Sequence, residues 1–251
     1  MNKKVLSLCI AVLFVLALAG CGSTESAPQS EESAEPAEVN MDNVTVNTQN
    51  SIRIEGSKIV YIDPYKISEA VCDADIILLT HSHYDHFDEA SLKNVIKDDT
   101  AIICPFEVSK PLSDMEVQAD VMSMEPGTST AVKDVQIETV PAYNKDKKYH
   151  PEDKGWLGFI VTIDGVRYYA AGDTDAVKEL NDVECDVAFV PVGGKYTMNA
   201  EEAAGLINKI KPKYAVPTHY GSIVGKAADA DTFAENVNEG ISVVKKVEDA
   251  K

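Results

Sequence analysis

The sequence predicts an α/β protein built as a four-layer α-β-β-α sandwich, preceded by a leader and a tether. Three observations predict it. Short β-rich runs punctuated by turn signals begin at Ser51, glycine-containing hairpin signals join two of the strand pairs, and strand and helix patterns alternate through the last third. A chain of 251 residues, 45% hydrophobic and 25% charged, is long enough for one domain with a substantial core.

The first twenty residues stand apart. Lys3 and Lys4 precede an apolar run over 5–18 that closes in Leu18-Ala19-Gly20-Cys21, the arrangement of a secretory signal with a small-residue cleavage site. As a helix that run would span roughly 21 Å at about 1.5 Å per residue, short of a ~30 Å hydrocarbon core, so a cleaved signal over 1–20 fits better than a membrane span. Leu-Ala-Gly-Cys resembles a bacterial lipobox. That resemblance implies a mature chain that starts at a lipidated Cys21 and is anchored to the bacterial cell membrane on its extracytoplasmic side, where two acyl chains hold and one is marginal.

Residues 22–40 contain five Glu, five Ser or Thr, two Pro and no aromatic residue. Such a segment buries too little apolar surface to offset its ordering entropy, so 21–50 reads as lipidated cysteine plus flexible acidic tether and 51–251 as the folded domain. The formal charge of −18 becomes −20 when 1–20, which hold Lys3 and Lys4 but no acid, are removed. A field of that sign repels nucleic acid and anionic headgroups and leaves a small molecule as the expected substrate. Beyond Cys9 and Cys21, three cysteines remain, Cys72, Cys104 and Cys185. An odd number without a CxxC argues against a disulfide framework or a thiolate metal site, and they read as buried small hydrophobes.

Within the domain, runs over 51–55 and 58–62 flank Gly56-Ser57 as a hairpin, and 75–80 is a largely apolar strand that stops where the histidines start. A helix is expected over 89–97, with strands near 101–104, 119–124 and 135–140. Strands over 156–163 and 166–171 flank Asp164-Gly165, the strongest short-range hairpin signal, and the middle of the chain is expected to be largely antiparallel. Strand 187–191, helix 199–210, strand 214–216, helix 231–238 and strand 241–247 complete the pattern.

The chemistry concentrates in one place. Three of the five histidines fall in His81-Ser82-His83-Tyr84-Asp85-His86, a segment with little structural reason to hold three imidazoles and a carboxylate. Nitrogen and oxygen donors without thiolate suit zinc, with manganese and iron as alternatives, and suit a catalytic centre with an open position. Four donors so close in sequence are more easily placed around two adjacent ions than around one.

Thr80 followed by HSHYDH at a strand end is similar to the HxHxDH signature of the metallo-β-lactamase superfamily. Gly172-Asp173-Thr174 and Pro217-Thr218-His219-Tyr220-Gly221, each after a strand, continue the resemblance across about 51–246. Tyr61-Ile62-Asp63-Pro64, Pro191-Val192-Gly193-Gly194 and the Pro-x-His-Tyr-Gly ending look like the branch that includes ascorbate-phosphate lactonase. The resemblance implies two divalent ions, His81 and His83 on the first, Asp85, His86 and His219 on the second, and Asp173 between them. Asp85 would also orient a metal-bound hydroxide that attacks a lactone or other ester. A phosphodiester is the alternative bond, and a non-catalytic metal- or ligand-binding surface lipoprotein the alternative class.

One position departs from the pattern. Where the superfamily usually supplies a third histidine to the first ion, this chain has Asn144, a weak neutral ligand. His150 is the remaining imidazole and is expected to fill that place, with substrate contact and a solvated loop as the other two readings. Asn144 and Tyr196 are candidate substrate contacts. The segment 193–197 admits two roles, a site for developing negative charge or a plain helix-entry loop capped by Asn199.

Overall fold

The computed structural model describes residues 37–115 and 117–247; the leader, Cys21 and most of the tether lie outside them. Two sheets each follow chain order. The first holds β1 (Val44–Val46), β2 (Ile52–Glu55), β3 (Ile59–Ile62), β4 (Ala74–Leu78), β5 (Ile96–Pro105) and β6 (Asp120–Met124). The second holds β7 (Ser129–Val132), β8 (Val135–Pro141), β9 (Leu157–Ile163), β10 (Val166–Ala170), β11 (Val187–Pro191), β12 (Tyr214–Thr218) and β13 (Ser242–Val243).

Each sheet is antiparallel in one part and parallel in the other. Strands β1 to β3 and β7 to β10 pair antiparallel, whereas β3 to β6 and β10 to β13 pair parallel. Parallel neighbours need crossovers. Helix α1 (Glu89–Val95) joins β4 to β5, α2 (Phe106–Asp114) joins β5 to β6, α3 (Ala200–Ile210) joins β11 to β12 and α4 (Ala227–Asn236) joins β12 to β13.

Side-chain alternation along the strands sets the layers. In β4, Ile76 and Leu78 face the second sheet, in a core shared with Ile103, Phe159, Val161 and Phe189. Their neighbours Ile77 and Leu79 face the other way and pack with Leu92 and Val95 of α1 and Val108 and Leu112 of α2. On the far side, Tyr169, Ala188 and Val190 meet Ala203, Leu206 and Ile207 of α3 and Phe233 of α4. The result is the expected α-β-β-α sandwich. Strands covered on both faces are largely apolar, which is why β11 reads as a continuous hydrophobic run and β4 as one broken only by Asp75.

Local chemistry accounts for the turns. Asp164 and Gly165 both take positive φ (51° and 80°), as a type I′ hairpin between β9 and β10 requires. Helix α3 starts in a capping box, with Asn199 Oδ1 accepting from Glu202 N and Glu202 Oε2 accepting from Asn199 N.

Four sequence expectations need correction. The middle is antiparallel only from β7 to β10, because α1 and α2 supply the crossovers that make β4 to β6 parallel. Helix α2 is absent from the sequence reading because Pro111 lies inside it and reads as a breaker. The expected strand over 241–247 is reduced to two residues of β13 and a bridge from Val247 to Val46. The fold also begins before Ser51: Val39, Val44 and Val46 are buried, and β1 pairs with β2, so polar neighbours had disguised a strand as tether. Of the cysteines, Cys104 is buried, Cys185 half-buried and Cys72 exposed, so only Cys104 fully fits the core expectation.

Candidate metal centre

Every donor expected from the sequence follows the C-terminal end of a strand: His81 to His86 after β4, His150 after β8, Asp173 after β10 and His219 after β12. Ends of neighbouring strands bring distant residues together on a rigid base. Gly172 permits the approach. It has φ 65°, and a Cβ there would lie 3.0 Å from the Leu157 carbonyl oxygen and 3.2 Å from Thr80 Cβ.

Three donor groups form, each with its ligand atoms within 4.8 Å of one another: His81, His83 and His150; His81, His86 and Asp173; Asp85, His86 and His219. In the first lobe, His83 Nδ1 lies 3.0 Å from His81 Nε2 and 3.2 Å from His150 Nε2. In the second, His219 Nε2 lies 3.3 Å and His86 Nε2 3.7 Å from Asp85 Oδ2. Asp173 touches both lobes, with Oδ2 3.1 Å from His150 Nε2 and 3.3 Å from His219 Nε2, and Oδ1 3.4 Å from His86 Nε2. His150, which sequence left open between three readings, thus stands in the first lobe.

Hydrogen bonds behind the donors select their tautomers. Thr80 Oγ1 donates to Asp63 Oδ2 (2.7 Å), so its oxygen accepts from His81 Nδ1 (2.9 Å) and leaves His81 Nε2 with a free lone pair. Asp63 Oδ2 likewise accepts from His86 Nδ1 at 2.8 Å, and the Tyr196 carbonyl accepts from His150 Nδ1 at 3.1 Å. Three imidazoles therefore turn bare Nε2 atoms toward the centre.

Asp63 is the main functional residue missed from sequence. It is fully buried and accepts from Asn50 Nδ2, Thr80 N, Thr80 Oγ1 and His86 Nδ1, all within 2.8 Å. Its signal was present in Asp63-Pro64 at the end of β3, but a motif does not say which ring a carboxylate will brace. Gln49 was missed because it falls in the segment assigned to the tether. Its carbonyl accepts from His219 N (2.9 Å), and its amide nitrogen lies 3.3 Å from His219 Nε2 and 3.4 Å from Asp85 Oδ2. Gln49, Asp63, His150 and His219 are all non-glycine residues at positive φ, between 46° and 60°. Backbone of that kind costs of order 1–3 kcal/mol each and is held only where the surroundings impose it.

Asn144 is corrected. It does not line the cavity over the donors. Its buried amide nitrogen instead donates to the carbonyls of Tyr149 (2.8 Å) and Tyr196 (2.6 Å), bracing the loop that carries His150. Tyr196 does line that cavity, and Asn199, two residues beyond 193–197, caps α3 as the helix-entry reading expects. Trp156 packs in the core against the rings of His81, His83 and His150, at 4.7, 5.0 and 5.4 Å between centroids.

Electrostatically, the carboxylates are held ionised. Burial pushes Asp173 upward, but the charges of His219 and His86 and hydrogen bonds from His150 and His219 outweigh it and hold it well below the usual range. Asp85 is drawn down to about 2, against its burial, by its hydrogen bond to His219 and the charge of His86. Burial lowers His219, yet the Asp173 charge and its bonds to Asp173 and Asp85 raise it to about 9. The same carboxylate charge, from Asp173 and Asp63, pushes the buried His86 imidazole upward against its desolvation.

A metal fits these residues. His86 Nε2 and Asp173 Oδ1 are buried without any hydrogen-bond partner, an arrangement that costs about 1–3 kcal/mol per group unless something else occupies their lone pairs. The donor set, five imidazoles and two carboxylates with braced rings, is that of a borderline divalent cation.

Comparison with known proteins agrees with this geometry. Residues 43–219 match the family model described as the beta-lactamase superfamily domain. A UPF0173 metal-dependent hydrolase of Pyrococcus furiosus is 33% identical over 207 residues, covering 76% of this chain and 90% of that protein. Its counterpart in Archaeoglobus fulgidus is 32% identical, over 76% and 88%. A metal-dependent hydrolase structure from Parabacteroides distasonis is 31% identical, covers 81% of this chain and 91% of its own, and superposes with a TM-score of 0.69. With HSHYDH, Asp173 and His219 gathered at strand ends, the chain belongs to the beta-lactamase superfamily and, within it, to the UPF0173 metal-dependent hydrolases.

Proposed function

We propose a two-metal hydrolase of lactones or other uncharged esters, lipidated at Cys21 and displayed outside the cell membrane. The observation that carries the two-metal reading is Asp173, one carboxylate shared between the lobe of His81, His83 and His150 and the lobe of Asp85, His86 and His219. Zinc is the ion the donor set suits best.

Two divalent ions bound there supply Lewis acidity and acidify water from about 15.7 toward about 7. The residues do the rest. Asp85, a carboxylate at any working pH, orients the attacking water and accepts a hydrogen bond from it. Asp63, Thr80 and the Tyr196 carbonyl keep three imidazoles in the tautomer that faces the centre. Asp85 and Asp173 would be the two carboxylates holding the ions, so the loaded centre would keep net positive charge toward a developing oxyanion.

Uncharged ester is favoured over phosphodiester because, among the described residues, no Lys or Arg lines the cavity of about 200 Å³ over the donors. The test is hydrolysis of a panel of lactones, aryl esters and aryl phosphodiesters by the metal-loaded protein, with metal content measured in parallel. Turnover of phosphodiesters in preference to esters would overturn the bond assignment, and one ion per chain would overturn the two-metal reading. Anchoring is tested by the mass of the N-terminal peptide from membrane-extracted protein, which should carry a diacylglyceryl group on Cys21.

A further inference from the structure

Among the described residues, seven large hydrophobic side chains are exposed, and three of them, Tyr84 (63%), Tyr149 (43%) and Ile223 (37%), line one cavity. That cavity is the one over the metal donors. Tyr196 completes the wall, its ring 4.9 Å from that of Tyr149 in edge-to-face contact. The four come from four loops, after β4, β8, β11 and β12, so sequence proximity does not explain the grouping. Scattered exposed hydrophobics are ordinary, but a contiguous set around a polar centre marks a binding surface.

The cavity volume, about 200 Å³, falls below the roughly 300–1,000 Å³ of a pocket that encloses a drug-sized ligand. It admits the reacting group and leaves whatever flanks that group against the collar. Lys148 and Lys195 lie over the Tyr149 and Tyr196 rings, 5.7 and 4.6 Å from the centroids, yet neither lines the cavity. Beside the metal donors, the lining therefore consists of three tyrosine side chains and one branched aliphatic chain, which suit an uncharged apolar partner.

We infer that the substrate carries an uncharged aromatic or apolar group beside its scissile carbonyl, and that Tyr84, Tyr149, Tyr196 and Ile223 recognise it. The inference rests on the ester reading above but can be tested apart from it. Dihydrocoumarin is a neutral aromatic lactone, its dihydroquinolinone lactam is a poorly hydrolysed isostere, and a carboxylate-bearing derivative of each supplies the charged comparison. With full-length metal-loaded protein, calorimetric titration should show the neutral lactam binding at least about tenfold tighter than its carboxylate derivative, and Tyr84→Ala should reduce that preference by about tenfold with metal content intact. The kcat/KM ratio of dihydrocoumarin to γ-butyrolactone should fall in the same variant. Tighter binding of the carboxylate derivative, lost in Lys195→Gln, would overturn the inference in favour of an anionic substrate, as would a neutral-lactam affinity unchanged in Tyr84→Ala. Lactam binding that depends on Tyr84 without turnover of any ester would sustain the collar and sink the ester hydrolase reading.

Discussion

The Tyr196 carbonyl oxygen lies 2.6 Å from Asn144 Nδ2 and 3.1 Å from His150 Nδ1, so one backbone atom ties the residue at the family's histidine position to the imidazole that stands in the site. The Asn144 amide also lies 3.2 Å from His150 Nδ1 and donates to the Tyr149 carbonyl. Asn144 is thus a brace for His150 rather than a ligand. His150→Ala should lower metal content from about two ions toward one, by mass spectrometry of the dialysed protein. Asn144→His should not restore it, because position 144 faces the carbonyls of residues 149 and 196. Recovery of the second ion in the double variant would refute the bracing role.

Asp63 should matter to metal binding without touching the metal. Asp63→Asn puts an amide NH₂ or a neutral oxygen before four donors that now meet a carboxylate, and frees the His81 and His86 rings to turn. Metal affinity should drop about 10–100-fold while far-UV circular dichroism stays native. An affinity within twofold of the parent protein would show that Thr80 and packing alone orient these rings.

Metal affinity should keep rising with pH beyond the usual histidine range. His219 in the metal-free centre is raised to about 9 by Asp173 and Asp85, so at pH 7 it is protonated and must lose that proton to act as a donor. An unperturbed imidazole near pKa 6.5 would make affinity level off above about pH 7. Here the apparent affinity should climb until about pH 9, and titration at pH 7 in buffers of different ionisation enthalpy should show proton release. A plateau at pH 7 with no proton release would contradict the pairing seen around His219.

The N-terminal boundary should be sharp. A fragment from Ala37 keeps β1 and the stitch in which Asn50 bonds Asp63 on the first sheet and Thr218 on the second, at 2.8 and 3.2 Å. A fragment from Ser51 loses these and buries no counterpart to Val39, Val44 and Val46, each worth about 1.5–3 kcal/mol against a typical total of roughly 5–15 kcal/mol. The first should unfold cooperatively and bind metal; the second should lose metal and either aggregate or melt far lower. Equal midpoints would place 37–50 outside the cooperative unit.

Much of this molecule was legible in one dimension because its signals are local. Largely apolar runs marked β4 and β11, Asp164-Gly165 marked a hairpin, Asn199 marked the start of α3, and HSHYDH concentrated donors where a strand ended. Each depends on residues a few positions apart, where backbone sterics and side-chain periodicity act directly. The partners of those donors were decided only by tertiary structure. Asp63 braces His86 across 23 positions, His150 reaches His83 across 67, and Gln49 approaches His219 across 170. No spacing rule relates such pairs; they meet because two sheets stack face to face and bring the ends of separate strands to one point. The same stacking turned β1 from apparent tether into core and made Asn144 a brace, because burial and hydrogen-bond direction belong to the packed chain and not to the residue type.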